Sequence, residues 1–223
     1  MSEQIIIEGD CLEVMRGFAD KQFDLVLTDP PYGIDLDTDF SGMVSRPGGY
    51  KGKMRGNTYE KVENDVNFNF QPYFEEIKRI SKRQVIFGAD YILERSEFIK
   101  GSISIWDKRL TDSADLMFGS CFETVWFFPR RKRDFYRYKW AGIFGTERER
   151  EKVRLHPTQK PLELVQQIMS EVAKEGESVL DPFMGSGTTI VAAQYLKLNA
   201  TGIEISPKYC EIARNRLAQQ QLF

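Results

Sequence analysis

Thr28-Asp29-Pro30-Pro31-Tyr32-Gly33 follows the apolar run Phe23-Asp24-Leu25-Val26-Leu27. Two prolines neither continue a strand nor donate to its hydrogen-bond ladder. A buried strand that stops on an acid, two rigid residues and an aromatic ring therefore reads either as an ordinary strand stop or as a carboxylate and a ring fixed for chemistry. A second stretch, Asp181-Pro182-Phe183-Met184-Gly185-Ser186-Gly187-Thr188-Thr189, follows the strand signal Ser178-Val179-Leu180 and opens a helix, which is the setting of a ligand turn. Neither phosphate-binding pattern fits it. No lysine follows Gly187, and Ile190 stands where a dinucleotide fingerprint needs its third glycine. The turn begins with an acid, which repels phosphate and attracts an ammonium. Glu204 closes the next strand, where an acid in α/β nucleotide sites hydrogen-bonds ribose hydroxyls. A ligand with an amino group, a ribose and no phosphate matches S-adenosylmethionine, and the amides opening the Thr188 helix can receive its carboxylate.

The elements that must hold these residues alternate. Ile5-Ile6-Ile7, Phe23–Leu27, Val85-Ile86-Phe87, Ile103–Trp106, Thr124–Phe128, Ser178–Leu180 and Ala200–Ile205 read as strands. Helical spacing runs through Cys11–Phe18, Gln71–Ile80 and Ile190–Leu196; a further helix starts at Pro161 and stops at Gly176, and another is capped by Ser206. Such βαβ alternation predicts a doubly wound, mostly parallel α/β sheet. The chain begins strand–helix–strand and ends on a helix, so its two halves joined end to end make one continuous series. That order predicts a circularly rearranged domain in which Asp29 and Asp181 end adjacent strands.

At 223 residues, 41% hydrophobic, the chain can form one large domain with an insertion. No stretch approaches the roughly 20 apolar residues of a membrane span. The N-terminal MSEQIIIEGD carries no basic region before its apolar run, so no signal peptide is expected. Cys11, Cys121 and Cys210 form no C-x-x-C pair, which argues against a disulfide framework or zinc knuckle and for a reducing cytoplasm. His156 is the only histidine, which leaves no Ser-His-Asp triad or His-rich metal site within easy reach; it is expected to be structural. The formal net charge of -2 favours no polyanion, but the basic residues are clustered. Arg46, Lys51, Lys53 and Arg55 lie in a glycine-rich run, and Arg130, Arg131, Lys132, Arg133, Arg137 and Lys139 interleave with Phe135, Tyr136, Tyr138 and Trp140. Solvated loops seldom need such rings, so the second segment reads as more than a solvated loop, and the two segments together can present one basic face.

With TDPPYG and DPFMGSGTT both in view, the chain resembles the β-class DNA amino-methyltransferases, which carry an Asp-Pro-Pro-Tyr motif first and the cofactor motif last. GDCLE, HPTQKP and GIEIS extend the likeness over nearly the whole chain. The resemblance implies a seven-stranded Rossmann-like methyltransferase sheet with a small target-recognition insertion. It divides the single 1–223 domain into a DNA-contacting loop at about 33–62, strands plus target-recognition segment at about 106–155, and a cofactor-binding half at 156–223. It assigns Asp29 and the Pro30 carbonyl to the exocyclic amine of the target base, and Tyr32 to stacking on that base. To S-adenosylmethionine it assigns Asp10 and Cys11 at the adenine edge, Thr158, Gln159 and Lys160 over the methionine end, and Asp181, Phe183, Gly185, Ser186, Gly187, Thr188 and Glu204 in the turn and ribose site.

Chemistry agrees with those roles. An exocyclic amine is a poor nucleophile because its lone pair is delocalised into the ring. Accepting its two N–H groups on a carboxylate and a carbonyl directs that lone pair, and positioning of this kind is worth about 7–11 kcal/mol. The target lies inside the stack, so it must be flipped out at a cost of about a few kcal/mol. Aromatic stacking on Tyr32 returns about 1–3 kcal/mol. The expected activity is site-specific methylation of adenine N6 in double-stranded DNA; cytosine N4 is the alternative, less favoured because its motif more often begins with serine where Asp29 stands. A non-catalytic DNA-binding module is disfavoured by intact Asp29, Tyr32, Asp181 and Glu204. A homodimer and a partner restriction endonuclease are compatible with the short recognition segment.

Overall fold

The computed structural model describes residues 2–33, 66, 68–109, 120–138 and 159–220. Their centre is a sheet of eight strands: β1 (Gln4–Glu8), β2 (Phe23–Thr28), β3 (Ser81–Phe87), β4 (Ser102–Asp107), β5 (Phe122–Phe128), β6 (Phe135–Arg137), β7 (Ser178–Asp181) and β8 (Asn199–Glu204). The helices are α1 (Cys11–Arg16), α2 (Gln71–Ile80), the short α3 (Ala89–Ile92) and α4 (Arg95–Phe98), α5 (Leu162–Val172), α6 (Thr188–Tyr195) and α7 (Pro207–Gln220).

Strand side chains alternate between two helical layers. Leu25, Leu27, Val85, Phe87, Val125, Phe127 and Val179 pack with Leu164, Ile168, Ile190 and Ala213 from α5, α6 and α7. Val26, Ile86, Trp126 and Leu180 point the other way, onto Met15 of α1 and Phe74 and Ile77 of α2. Burial of each such side chain is worth about 1.5–3 kcal/mol. A one-residue register slip in the central strands would exchange the two sets, so the alternation fixes which residue leaves each strand at its end.

Across the sheet the order is β1-β8-β7-β2-β3-β5-β4-β6. From β7 the chain crosses through α6 to β8, toward one side; from β2 it crosses to β3, toward the other. The directions diverge between β2 and β7, which pair in parallel with Leu25 opposite Val179 and Val26 opposite Leu180. Asp29 and Asp181 thus end adjacent strands, as the circularly rearranged order requires, at the switch point where open α/β sheets bind ligands.

β5 alone runs against its neighbours β3 and β4. Its first residues therefore share the edge where β2, β3, β4 and β7 end, and its last residues lie at the far edge. The expected doubly wound, mostly parallel sheet is present, with eight strands rather than seven. The additional strand is β6, inside the basic-aromatic segment, where Tyr136 is buried opposite Trp106 while Phe135 and Arg137 remain exposed. The polar residues 81–84 also join β3, because Lys82 pairs with Asp24 and Arg83 with Glu177. Cys210 is buried, as a core residue should be, whereas Cys121 is only half-buried. Among the described residues no helix is long and apolar enough to cross a membrane. Most of the expected 33–62 loop, and residues 110–119 and 139–155 of the expected recognition segment, lie outside the described residues.

Candidate active site

Every strand that ends at the switch-point edge delivers a polar or small residue there. Pro30 is buried just after β2, while Asp29 and Tyr32 are partly exposed around it. The Tyr32 hydroxyl donates to Asp29 Oδ1 at 2.6 Å. Burial holds the Tyr32 phenol well above the ordinary tyrosine range, with the Asp29 charge acting in the same direction. The hydroxyl therefore stays protonated and orients the carboxylate. Gly88, directly after β3, makes room for this ring. A Cβ there would stand 2.2 Å from Tyr32 Cζ, and its φ of +60° is one that side chains other than glycine's adopt only with strain. Tyr91 of α3 stacks on Tyr32 with centroids 5.2 Å apart and planes 8° from parallel.

The other Asp29 oxygen, Oδ2, receives the ammonium of Lys160. That ammonium also stands 3.2 Å from Glu123 Oε2. Glu123 Oε1 is in turn paired with Lys108, which follows β4. Burial pushes the Asp29 carboxyl upward and Glu123 adds to the rise, against the pull of Lys160. Burial also works against the Lys160 ammonium, yet Asp29 and Glu123 together hold it above the ordinary lysine range. Glu123 is held low despite burial, by Lys160 and Lys108.

Beside this cluster, Asp181 is 3% exposed and accepts hydrogen bonds from Thr28 Oγ1 at 2.7 Å and the Phe183 amide at 3.1 Å. Burial nonetheless pushes its carboxyl up from 3.8 to about 6. The turn is closed by Gly187, at φ +83°, where a Cβ would stand 2.7 Å from that of Ala213. Glu204 accepts from the Gly185 amide at 2.8 Å and the Ser206 amide at 2.9 Å, so the β8 acid fastens the turn to its own strand end. Asp10 caps α1 through Oδ1, accepting from the amides of Leu12 and Glu13. Phe183 forms an aromatic wall with Tyr73 at 5.5 Å and Phe68 at 5.9 Å between centroids. An edge carrying Asp10, Asp181 and Glu204 beside these rings repels phosphate and suits a cationic ligand with a flat ring.

The structure brings Asp29, Pro30, Tyr32, Lys160 and Asp181 to this edge, with Gln159 immediately before Lys160 and Asp10, Cys11, Phe183, Gly185, Gly187 and Glu204 around the neighbouring strand ends. It differs from expectation in several places. Lys160, expected over the methionine end of the cofactor, has its ammonium on Asp29 and Glu123. Ser186 and Thr188 turn their hydroxyls to Arg216 of α7, each 3.2 Å from its Nη1, and so brace the turn from behind. Burial pushes the Cys11 thiol to about 12, leaving it a neutral apolar contact.

The basic segment is divided. Because β5 runs antiparallel, Arg130–Arg133 lie at the sheet edge opposite Asp29. There Arg130 donates to the Ile99 and Lys100 carbonyls, and Arg131 pairs with Glu171 at 2.7 Å while lying 4.8 Å from the Phe127 ring. Lys132 and Arg133 are exposed. Among the described residues of the segment, only Arg137, at the end of β6 and level with Asp107, returns to the catalytic edge. Arg46, Lys51, Lys53, Arg55, Lys139 and Thr158 lie outside the described residues. Sequence reasoning missed Gly88, Tyr91, Lys108 and Glu123. Gly88, Lys108 and Glu123 are at strand ends and Tyr91 lies on α3 just beyond β3, but an antiparallel β5 was needed to place Glu123.

A family model described as DNA methylase matches residues 94–215. The chain is 28% identical over 248 aligned positions to the type II methyltransferase M.HinfI of Haemophilus influenzae, covering 96% of this chain and 68% of that one. Among solved structures, the M1.HpyAVI–SAM complex aligns with a TM-score of 0.59 at 21% identity, over 96% of this chain and 98% of that chain. PvuII DNA methyltransferase, a cytosine-N4-specific enzyme, aligns with a TM-score of 0.62 at 15% identity, over 97% and 86%. The two structural likenesses concern the fold.

Proposed function

Because the chain belongs to the DNA methylase family, in its N6/N4 class, we propose that it methylates adenine N6 at a specific site in double-stranded DNA, using S-adenosylmethionine. The observation that carries this reading is Asp29, a carboxylate fixed at the end of β2, one strand from the buried acid Asp181, with Tyr32 attached to it. S-adenosylmethionine fits the donor set beside it, which is acidic and walled by aromatic rings, and when bound it supplies a methyl group on a sulfonium. Asp181 would hold its ammonium, Glu204 would receive its ribose hydroxyls, and Asp10 with Cys11, Phe183 and Tyr73 would flank its adenine.

The residues of the β2 end then act on the target. Asp29 accepts one N–H of the flipped base's amine and the Pro30 carbonyl the other, which directs the nitrogen lone pair outward. Tyr32 offers its face to the base once the base is out of the stack. Asp29 also stabilises the cationic amine formed on methyl transfer. Cytosine N4 is the second reading, because the PvuII enzyme of like fold carries that specificity. An aspartate at position 29, where the cytosine motif more often has serine, favours adenine. Arg137 and the basic residues between 46 and 55 are assigned to phosphates. A site in the cytoplasm, a homodimer and a partner endonuclease are compatible with this role. Transfer of labelled methyl to duplex DNA by wild type, lost in Asp29→Ala with DNA binding retained, is the expected result. DNA binding without transfer by wild type on varied duplexes would return the chain to a binding module.

A further inference from the structure

Asp29, Lys160, Glu123 and Lys108 form an alternating chain of charges drawn from four places: the end of β2, the segment before α5, the start of β5 and the end of β4. Two acids and two bases compensate each other, with Lys160 buried and Asp29, Glu123 and Lys108 partly exposed. The Lys160 ammonium is also confined by rings, standing 5.3 Å from the Phe87 centroid and 5.9 Å from that of Trp106, both buried. Lys108 lies 5.1 Å from the Trp106 centroid. A surface ion pair needs none of this. The Lys160 contact with Glu123 is the looser of the two: Glu123 Oε2 stands 3.2 Å from the ammonium, whereas Asp29 Oδ2 is hydrogen-bonded to it. Glu123 thus draws on Lys160 without capturing it, and Lys160 remains shared.

We propose that Lys160 and Glu123 are positioning residues for the transfer reaction, Lys160 fixing the direction and charge of the Asp29 carboxylate and Glu123 limiting how far Lys160 neutralises it. This rests on the proposed amine methylation. Each carboxylate oxygen has two lone pairs, so Asp29 can keep Tyr32 on Oδ1 and Lys160 on Oδ2 and still accept the amine of the target. With Lys160 unshared, Asp29 would be a weaker acceptor. With Lys160 absent, Asp29 would take a proton and donate rather than accept.

The two substitutions therefore act in opposite directions on one titration. The groups facing Asp29 are Lys160, Glu123, Tyr32 and Asp181, with Asp90 of α3 acting on Tyr32 and Lys108 acting on Glu123. In Lys160→Met the acidic limb of the kcat–pH profile moves to higher pH, by about 1–3 units for a lost opposite charge. In Glu123→Gln, which keeps the side-chain shape, it moves to lower pH, and Glu123→Asp restores it toward wild type. In both, kcat falls while KM for DNA stays within about twofold, the pattern of a lost transition-state interaction. The same shifts are read in the free protein from the carboxyl carbon of Asp29, assigned with Asp29→Asn. Should Lys160→Met not fold, the downward shift in Glu123→Gln decides alone. Shifts in the same direction, or titration with wild type in both readouts, would overturn the proposal. Because the carbon titration needs neither cofactor nor DNA, it decides this proposal even for a wild type that transfers no methyl, an outcome that refutes only the function.

Discussion

Asp181→Asn separates what the ligand turn does for folding from what it does for binding. Asp181 is buried, and its carboxyl is pushed up from 3.8 to about 6. A folded-state value above the unfolded one means that the folded protein holds the proton more tightly. The contribution of this group to stability is complete below about pH 4 and is lost as pH rises through about 6. The rise is about two units, or about 3 kcal/mol once the group is ionised. An amide avoids that cost, and its oxygen can keep the donors Thr28 Oγ1 and the Phe183 amide. Urea denaturation should find Asp181→Asn more stable than wild type by up to about 3 kcal/mol near pH 8, with the difference shrinking toward pH 4. Calorimetric titration with S-adenosylmethionine should show binding weakened by about 2–5 kcal/mol, the cost of leaving an ammonium without its carboxylate. A variant less stable than wild type near pH 8, or a difference independent of pH, would refute the reasoning about burial. Unchanged cofactor affinity would refute the role given to Asp181.

Three further outcomes follow from the geometry. Gly88→Ala should cost about 1–2 kcal/mol through its left-handed backbone and lower kcat on the order of 10²-fold by pushing the Tyr32 ring; an unchanged kcat would mean that the ring position is unimportant. Arg131→Ala should lower the melting temperature, since it removes the Glu171 pair and the contact over Phe127, and leave the salt dependence of DNA binding as it was. Arg137→Ala should instead reduce the slope of log affinity against log salt by about one; equal effects of the two on that slope would contradict the separation of the sheet edges.

Much of the site is legible in the sequence because both of its key turns announce themselves locally. TDPPYG stops a strand by removing amide donors, and DPFMGSGTT opens a helix through glycines that the backbone needs. Their adjacency also follows, from the order of strands and helices along the chain. Glu123 does not announce itself. A lone acid before the apolar run ThrValTrpPhePhe reads as a strand boundary, and only the antiparallel course of β5 brings it to the catalytic edge. The same course carries Arg130–Arg133 away from it, so that proximity in sequence to aromatic residues misleads. Lys160 lies within a motif whose resemblance points to the cofactor, and its reach to Asp29 is a matter of tertiary packing across 131 residues. β6 was hidden because only Tyr136 of its three residues is buried, too short an alternation to register.

In the proposed reaction Asp29 prepares the N6 amine of adenine in DNA for methylation. Digestion of duplex DNA to nucleosides after incubation with the protein and S-adenosylmethionine, followed by mass spectrometry, tests it most directly. Wild type is expected to yield N6-methyladenine and Asp29→Ala none. N4-methylcytosine in its place, or N6-methyladenine formed equally well by Asp29→Ala, would contradict it.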